Sequence, residues 1–121
     1  LLVDDEKKIV DLFAAFLMRK GFEVVLASGG EKAIEVLKSG MQIDLMLLDM
    51  KMPGVSGLDV LREKAVLKDV TPVIIVTGSF GQEQIYRDLE KLGFTREDII
   101  YKPVDLFLLL EEVKKKLGMK T

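Results

Sequence analysis

The chain has 121 residues, 49% of them hydrophobic and 31% charged, with 18 basic against 20 acidic side chains. That is the length and balance of one globular domain with a real core, and a net charge of -2 offers no basic surface to nucleic acid or anionic lipid. With no Cys and no His, disulfides, thiol nucleophiles, Ser-His-Asp triads, imidazole proton shuttles and most transition-metal sites are excluded, so any metal is a hard ion on oxygen ligands.

Leu1, Leu2 and Val3 read as the end of a strand whose beginning is absent, stopping at Asp4 and Asp5. Ile9, Leu12, Phe13, Phe16 and Leu17 recur at helical spacing and predict one buried face, with Gly21 as the stop. Residues 22–26 predict a strand. Ser28 and Glu31 have the spacing of a capping box, opening a short helix on Ala33, Ile34 and Leu37 that Gly40 closes. Residues 43–48 are nearly all apolar, as in a strand buried on both faces, and end at Asp49.

Pro53, Gly54 and Gly57 make residues 50–57 a loop, and Ser56 is placed to cap a third helix with Leu58, Leu61 and Ala65 inward. Residues 73–76 form a second fully apolar strand ending at Thr77. Gly78, Ser79 and Gly81 mark a loop before a fourth helix on Ile85, Leu89 and Leu92, stopped by Gly93. Residues 98–101 predict the last strand, ending at Lys102 and Pro103. A fifth helix then carries Leu106, Leu109, Leu110, Val113 and Leu117 on one face. Its lysines at 114–116 read as a solvated helix end and residues 118–121 as a frayed tail or the start of a linker. The six Met and six Phe read as core. The apolar runs at 73–76 and 106–110 are too short to cross a bilayer, no signal-peptide pattern opens the chain, and the expected location is cytoplasmic.

Strand then helix, five times, predicts a parallel sheet with helices on both faces. In such a sheet ligands bind beyond the carboxyl ends of the strands. Four of the apolar runs end there in polar residues: Asp4 and Asp5, Asp49, Thr77 and Lys102. Three carboxylates at one edge repel, by roughly 3 kcal/mol per pair at ~5 Å and an effective dielectric of about 20. Such a site takes up a proton or a cation, and Mg²⁺ is the usual ion where phosphate is handled. A nucleophilic carboxylate with a metal, a lysine and a hydroxyl suits phosphoryl transfer onto Asp. Taken singly, Asp4 and Asp5 also suit a helix N-terminus, Asp49 a turn, and Thr77 and Lys102 an ordinary surface.

The sequence closely resembles the receiver domain of bacterial two-component response regulators. The resemblance covers essentially the whole chain and is carried by Leu1 to Glu6, by Leu47-Leu48-Asp49-Met50-Lys51-Met52-Pro53-Gly54 with Gly57, by Val76-Thr77-Gly78, and by Tyr101-Lys102-Pro103. It implies a single domain over 1–121 with a flavodoxin-like doubly wound sheet of strand order 2-1-3-4-5, the first strand short at its N-terminus. It implies that Asp49 accepts a phosphoryl group from a sensor histidine kinase or histidine phosphotransfer protein. Mg²⁺ would be held by Asp5, Asp49 and the backbone carbonyl of Lys51, with Asp4 acting through a water. Lys102 would pair with the phosphoryl oxygens and Thr77 would swing toward them. The readout, and any homodimer, would use the face of the fourth helix, fifth strand and fifth helix, with no nucleic acid or membrane bound directly. The only catalysis implied is transfer onto and hydrolysis from its own Asp49.

Three features depart from the family pattern. Ile99 stands where an aromatic ring often lies three residues before the lysine, with Tyr101 beside Lys102 instead. Residues 93–98 make a longer approach to the last strand, and the first strand is short. Two other readings compete. One is a Mg²⁺-dependent phosphohydrolase of the haloacid-dehalogenase type, which needs Asp-x-Asp where this chain has adjacent acids. The other is a degenerate receiver that works without phosphorylation, against which all five site residues stand.

Overall fold

The computed structural model describes residues 1–78 and 83–119. Strands and helices alternate: β1 (Leu2–Val3), α1 (Lys7–Arg19), β2 (Leu26–Ala27), α2 (Gly30–Lys38), β3 (Met46–Leu48), α3 (Gly57–Val66), β4 (Val73–Thr77), α4 (Glu83–Lys91), β5 (Ile99–Tyr101) and α5 (Leu106–Lys116). All four strand pairings are parallel, in the order β2-β1-β3-β4-β5. This is the expected flavodoxin-like sheet, with its switch point between β1 and β3.

The period of two along each strand divides the core. Val3, Met46, Leu48, Val73, Ile75 and Ile99 pack with Ala33, Val60, Leu61 and Leu89 from α2, α3 and α4. Leu2, Leu47, Ile74, Val76 and Ile100 pack with Phe13, Ala14, Leu17, Leu109 and Val113 from α1 and α5. Both faces are therefore covered, which is why β3 and, up to Thr77, β4 are apolar at successive positions and not at alternate ones.

Several local expectations are corrected. In α1 the expected Phe13 and Leu17 are buried and Ile9 and Phe16 pack half-buried on the same cluster, but Leu12 is 54% exposed and Val10 and Ala14 are buried instead. The face turned to the sheet is rotated toward the smaller side chains. Strands β2 and β3 are shorter than their apolar runs. The ladder joins β2 to Leu2 and Val3 alone, so residues 22–25 extend beyond the register pairs. The Ser28–Glu31 box does not form: α2 starts with Gly29 as its N-cap and no side-chain cap, which puts Glu31 out of step. In α3, Ala65 is exposed and Lys64 is buried in its place. The Lys64 ammonium donates to the Asp69 carbonyl at 2.8 Å and lies 3.4 Å from its carboxylate. Residue 98 belongs not to β5 but to a 3-10 turn at Arg96–Asp98, where the Asp98 carboxylate accepts from the Thr95 amide at 2.8 Å. Lys116 pairs with Asp98, so the lysine run is not wholly solvated. Met18, Met41, Met119 and Phe107 are exposed and stand outside the core.

Other expectations hold. Ser56 caps α3, its hydroxyl accepting from the Asp59 amide at 3.2 Å while Asp59 accepts from the Ser56 amide at 3.0 Å. Asp105, not singled out in the sequence, caps α5 through the amides of Phe107 and Leu108. The expected loop lies outside the described residues from Ser79 through Gly81, as do the last two residues of the 118–121 tail. Among the described residues, no helix is long and apolar enough to cross a membrane.

Candidate functional site

Parallel pairing delivers the polar residues to one edge. The ladder matches Val3 with Leu48, so the next residues, Asp4 and Asp49, leave neighbouring strands side by side. Carboxylate oxygens of Asp4, Asp5 and Asp49 lie within 4.8 Å of one another. Asp4 and Asp49 are buried and Asp5 is exposed. Lys102 arrives from β5, two strands away from Asp49. Its ammonium donates to Asp4 Oδ2 at 2.9 Å and lies 3.8 Å from Asp49 Oδ2. Backbone amides complete the shell: Glu6 donates to Asp4 Oδ1 at 3.0 Å and Lys51 to Asp49 Oδ1 at 3.4 Å.

Thr77 ends β4 between these groups, and its carbonyl accepts from the Lys102 amide at 2.7 Å. Its side chain is fully buried, and its hydroxyl oxygen has no hydrogen-bond partner among the described residues. An unpaired buried hydroxyl costs about 1–3 kcal/mol. Such a group is what a site leaves for a ligand oxygen. All five predicted side chains thus stand at neighbouring strand ends, and Lys51 adds its backbone two residues beyond Asp49.

Burial pushes the Asp49 carboxyl above its ordinary range, and the negative charges of Asp4 and Asp5 push the same way. The Lys102 ammonium and the Lys51 amide oppose that rise without cancelling it. For Lys102, burial works against the charge, but the Asp4 hydrogen bond and the charges of Asp49, Asp4 and Glu6 win, and its pKa is raised. The folded protein therefore holds the Asp49 proton more tightly than the unfolded chain does. This contribution to stability is full below the unfolded value of 3.8 and is lost as pH rises through the higher folded value. Urea unfolding of parent and Asp49→Asn at a series of pH values without divalent ions should show the variant's advantage growing upward from that point. A constant difference would contradict the sign.

Oxygen donors with this much uncompensated charge suit a divalent hard cation. The three acids bring three negative charges and Lys102 returns one positive charge, so the donor set fits such an ion.

A glycine sets the position of Asp49 from behind. A Cβ on Gly57 would come 2.4 Å from the Asp49 carbonyl oxygen and 2.7 Å from Met50 Cα. Both neighbours are backbone, and the Gly57 amide also donates to the Met50 carbonyl at 3.1 Å. Gly57→Ala should therefore cost about 3 kcal/mol of folding stability, at the upper end for overpacking. Chemical denaturation measures it; a variant as stable as the parent would show that the loop yields.

Three side chains at this end escaped the sequence reading. Glu6 adds charge near Lys102, and its signal was only its place after the two aspartates. Tyr86 meets Tyr101 and Arg96 lies over the Tyr86 ring, as described below, and no local pattern points to either.

The family model for the response regulator receiver domain matches residues 1–114. The chain belongs to that family. As a receiver domain, it is a phosphorylation-dependent signalling switch of two-component systems. It is 35% identical over 94% of its length to the transcriptional regulatory protein DltR of Streptococcus agalactiae, and covers 49% of that protein. It is 31% identical over its full length to sporulation initiation phosphotransferase F of Bacillus subtilis, covering 94% of it. A response regulator receiver protein from Pseudomonas putida superposes with a TM-score of 0.83 at 34% identity, over 94% of this chain and 93% of that one. The receiver chain thus spans about half the length of DltR but nearly all of the phosphotransferase. These relatives favour the switch over a phosphohydrolase of the haloacid-dehalogenase type.

Proposed function

We propose that Asp49 is the phosphoacceptor of this receiver and that the donor is a phosphohistidine on a sensor kinase or phosphotransfer protein. The observation that carries the reading is the meeting of Asp4, Asp5 and Asp49 with Lys102 at ion-pair distance, from strands far apart in sequence. We read residues 1–121 as one receiver domain, whatever lies beside it in the whole protein.

An Asp49 oxygen attacks phosphorus as the donor's P–N bond breaks. The electron pair of that bond returns to the imidazole nitrogen, which takes a proton from solvent. Lys102 orients the Asp49 carboxylate and neutralises charge that moves onto the phosphoryl oxygens. The Thr77 hydroxyl, buried and without a partner among the described residues, donates to one of those oxygens. The oxygen set of Asp5, Asp49 and the Lys51 carbonyl, with Asp4 through a water, would hold Mg²⁺, which would supply positive charge to the transferring group. Reversal uses water: its oxygen attacks phosphorus, the acyl-phosphate O–P bond breaks, and Asp49 and inorganic phosphate are released. The output surface is the face of α4, β5 and α5, which also offers the route to a homodimer.

The test is incubation of the chain with acetyl phosphate and Mg²⁺, followed by intact mass and peptide mapping. One adduct on Asp49 is expected, with Asp5→Asn losing both labelling and its Mg²⁺ dependence. An adduct elsewhere, or continuous turnover of simple phosphate esters, would overturn the assignment.

A further inference from the structure

Both tyrosines of the chain meet on the α4 side of β5. The hydroxyls of Tyr86, on α4, and Tyr101, at the end of β5, share a hydrogen bond. The Arg96 guanidinium, from the 3-10 turn, lies 4.2 Å from the centre of the Tyr86 ring. Helix, turn and strand are thereby joined at one point.

We propose that Tyr86, Tyr101 and Arg96 form a latch that holds α4 on β5 in the unmodified protein and releases when Asp49 is phosphorylated. The release half rests on the reading of Asp49 as the phosphoacceptor; the latch itself does not.

The first support is how little of α4 is buried. Leu89 is its one buried residue, with Ile85 and Tyr86 half-buried. Among the described residues it is also tied by Arg62 to Asp88 at 3.8 Å, near solvent, where an ion pair contributes little. The shared hydroxyl bond and the cation over the ring add polar attachment to this lightly buried helix. The hydrogen bond to Tyr86, with burial second, also raises the Tyr101 pKa, while Arg96 opposes the rise.

The second support is the path to the site. Thr77 and Tyr101 are register partners across β4 and β5. The two-residue alternation places both on the α4 side, in step with Ile75 and Ile99 of the same core cluster. Tyr101 adjoins Lys102, whose amide is bonded to the Thr77 carbonyl. A phosphoryl group on Asp49 competes with Asp4 for the Lys102 ammonium and draws on the Thr77 hydroxyl. Either movement acts on the rung that carries the Tyr101 ring. Ile99, buried in the apolar core, has no polar handle with which to do the same.

Amide hydrogen exchange on the full chain tests both halves. In unmodified protein, Tyr86→Phe and Tyr101→Phe should each speed exchange across α4 about fivefold, the effect of one hydrogen bond, with α1 and α5 unchanged. Labelling with acetyl phosphate and Mg²⁺ should speed α4 exchange in the parent and add little in Tyr101→Phe. Phe variants that match the parent would overturn the latch. A parent labelled at Asp49, as verified by mass, with unchanged α4 exchange would overturn its release. If Asp49 takes no label at all, the phosphoacceptor reading and the release fall together, while the unmodified comparison still decides the latch.

Discussion

Lys102→Met should destabilise the protein by about 3 kcal/mol at neutral pH without divalent ions, the low end for removing one partner of a buried ion pair. The ammonium is the group that compensates Asp4, at 2.9 Å, and Asp49, at 3.8 Å. Both carboxylates have side chains at most 6% exposed, so water cannot take over that role. Two treatments should recover the loss. Acid returns stability as the carboxylates take up protons, and Mg²⁺ returns it by replacing the missing charge. Urea melts of the variant with and without Mg²⁺, at neutral and mildly acid pH, measure both. A variant that loses stability equally under all conditions would show a packing loss rather than an electrostatic one. Labelling at Asp49 should persist at a reduced rate, because the nucleophile and the metal donors remain.

Asp49→Asn should reduce acetyl phosphate labelling to below detection, since an amide oxygen cannot form the acyl phosphate. The same change should stabilise the protein by about 1 kcal/mol in the absence of Mg²⁺, as relief of charge at functional sites commonly does. It removes a buried charge, its repulsion with Asp4 and its repulsion with Asp5. The opposite signs are the useful part. A misfolded variant would lose both labelling and stability, whereas loss of the phosphoacceptor alone separates them. Adding Mg²⁺ should narrow the stability difference, because the parent gains more from the ion than a variant with one carboxylate fewer. Residual labelling of this variant at another residue would displace the nucleophile from Asp49.

The two variants also show why the site resists optimisation. Asp4, Asp5 and Asp49 are held closer together than folding alone would favour, and the backbone that holds them is itself tightly fitted. Gly57 permits the close approach to the Asp49 carbonyl, and the Ser56–Asp59 box fixes the start of α3 beside it. Strand ends and the start of α3 therefore position the Asp49 side of the site.

Local patterns were enough to read the alternation of strands and helices, the apolar run of β4, the Ser56 cap and the five polar side chains that end the strands at the acidic edge. These depend on side-chain type and spacing within a few residues, which a linear sequence displays. The exact phase of α1 was not legible, because Val10-Phe13-Ala14-Leu17 and Ile9-Leu12-Phe13-Phe16-Leu17 share residues and both satisfy helical spacing, and only contact with the sheet chooses between them. The cap of α2 also escaped, since one residue's shift in the helix start removes Ser28 from reach. The burial of Lys64 has no local signal, because the Asp69 carbonyl and carboxylate that receive it meet it only in the folded chain. The Tyr86–Tyr101–Arg96 cluster joins three segments whose proximity no pattern encodes. By itself the sequence determined which chemical groups this receiver owns and which strand ends they occupy. Only the tertiary structure decided which of them touch, because ion-pair distances, burial and the resulting pKa shifts depend on how separate strands pair and on which helix face meets the sheet.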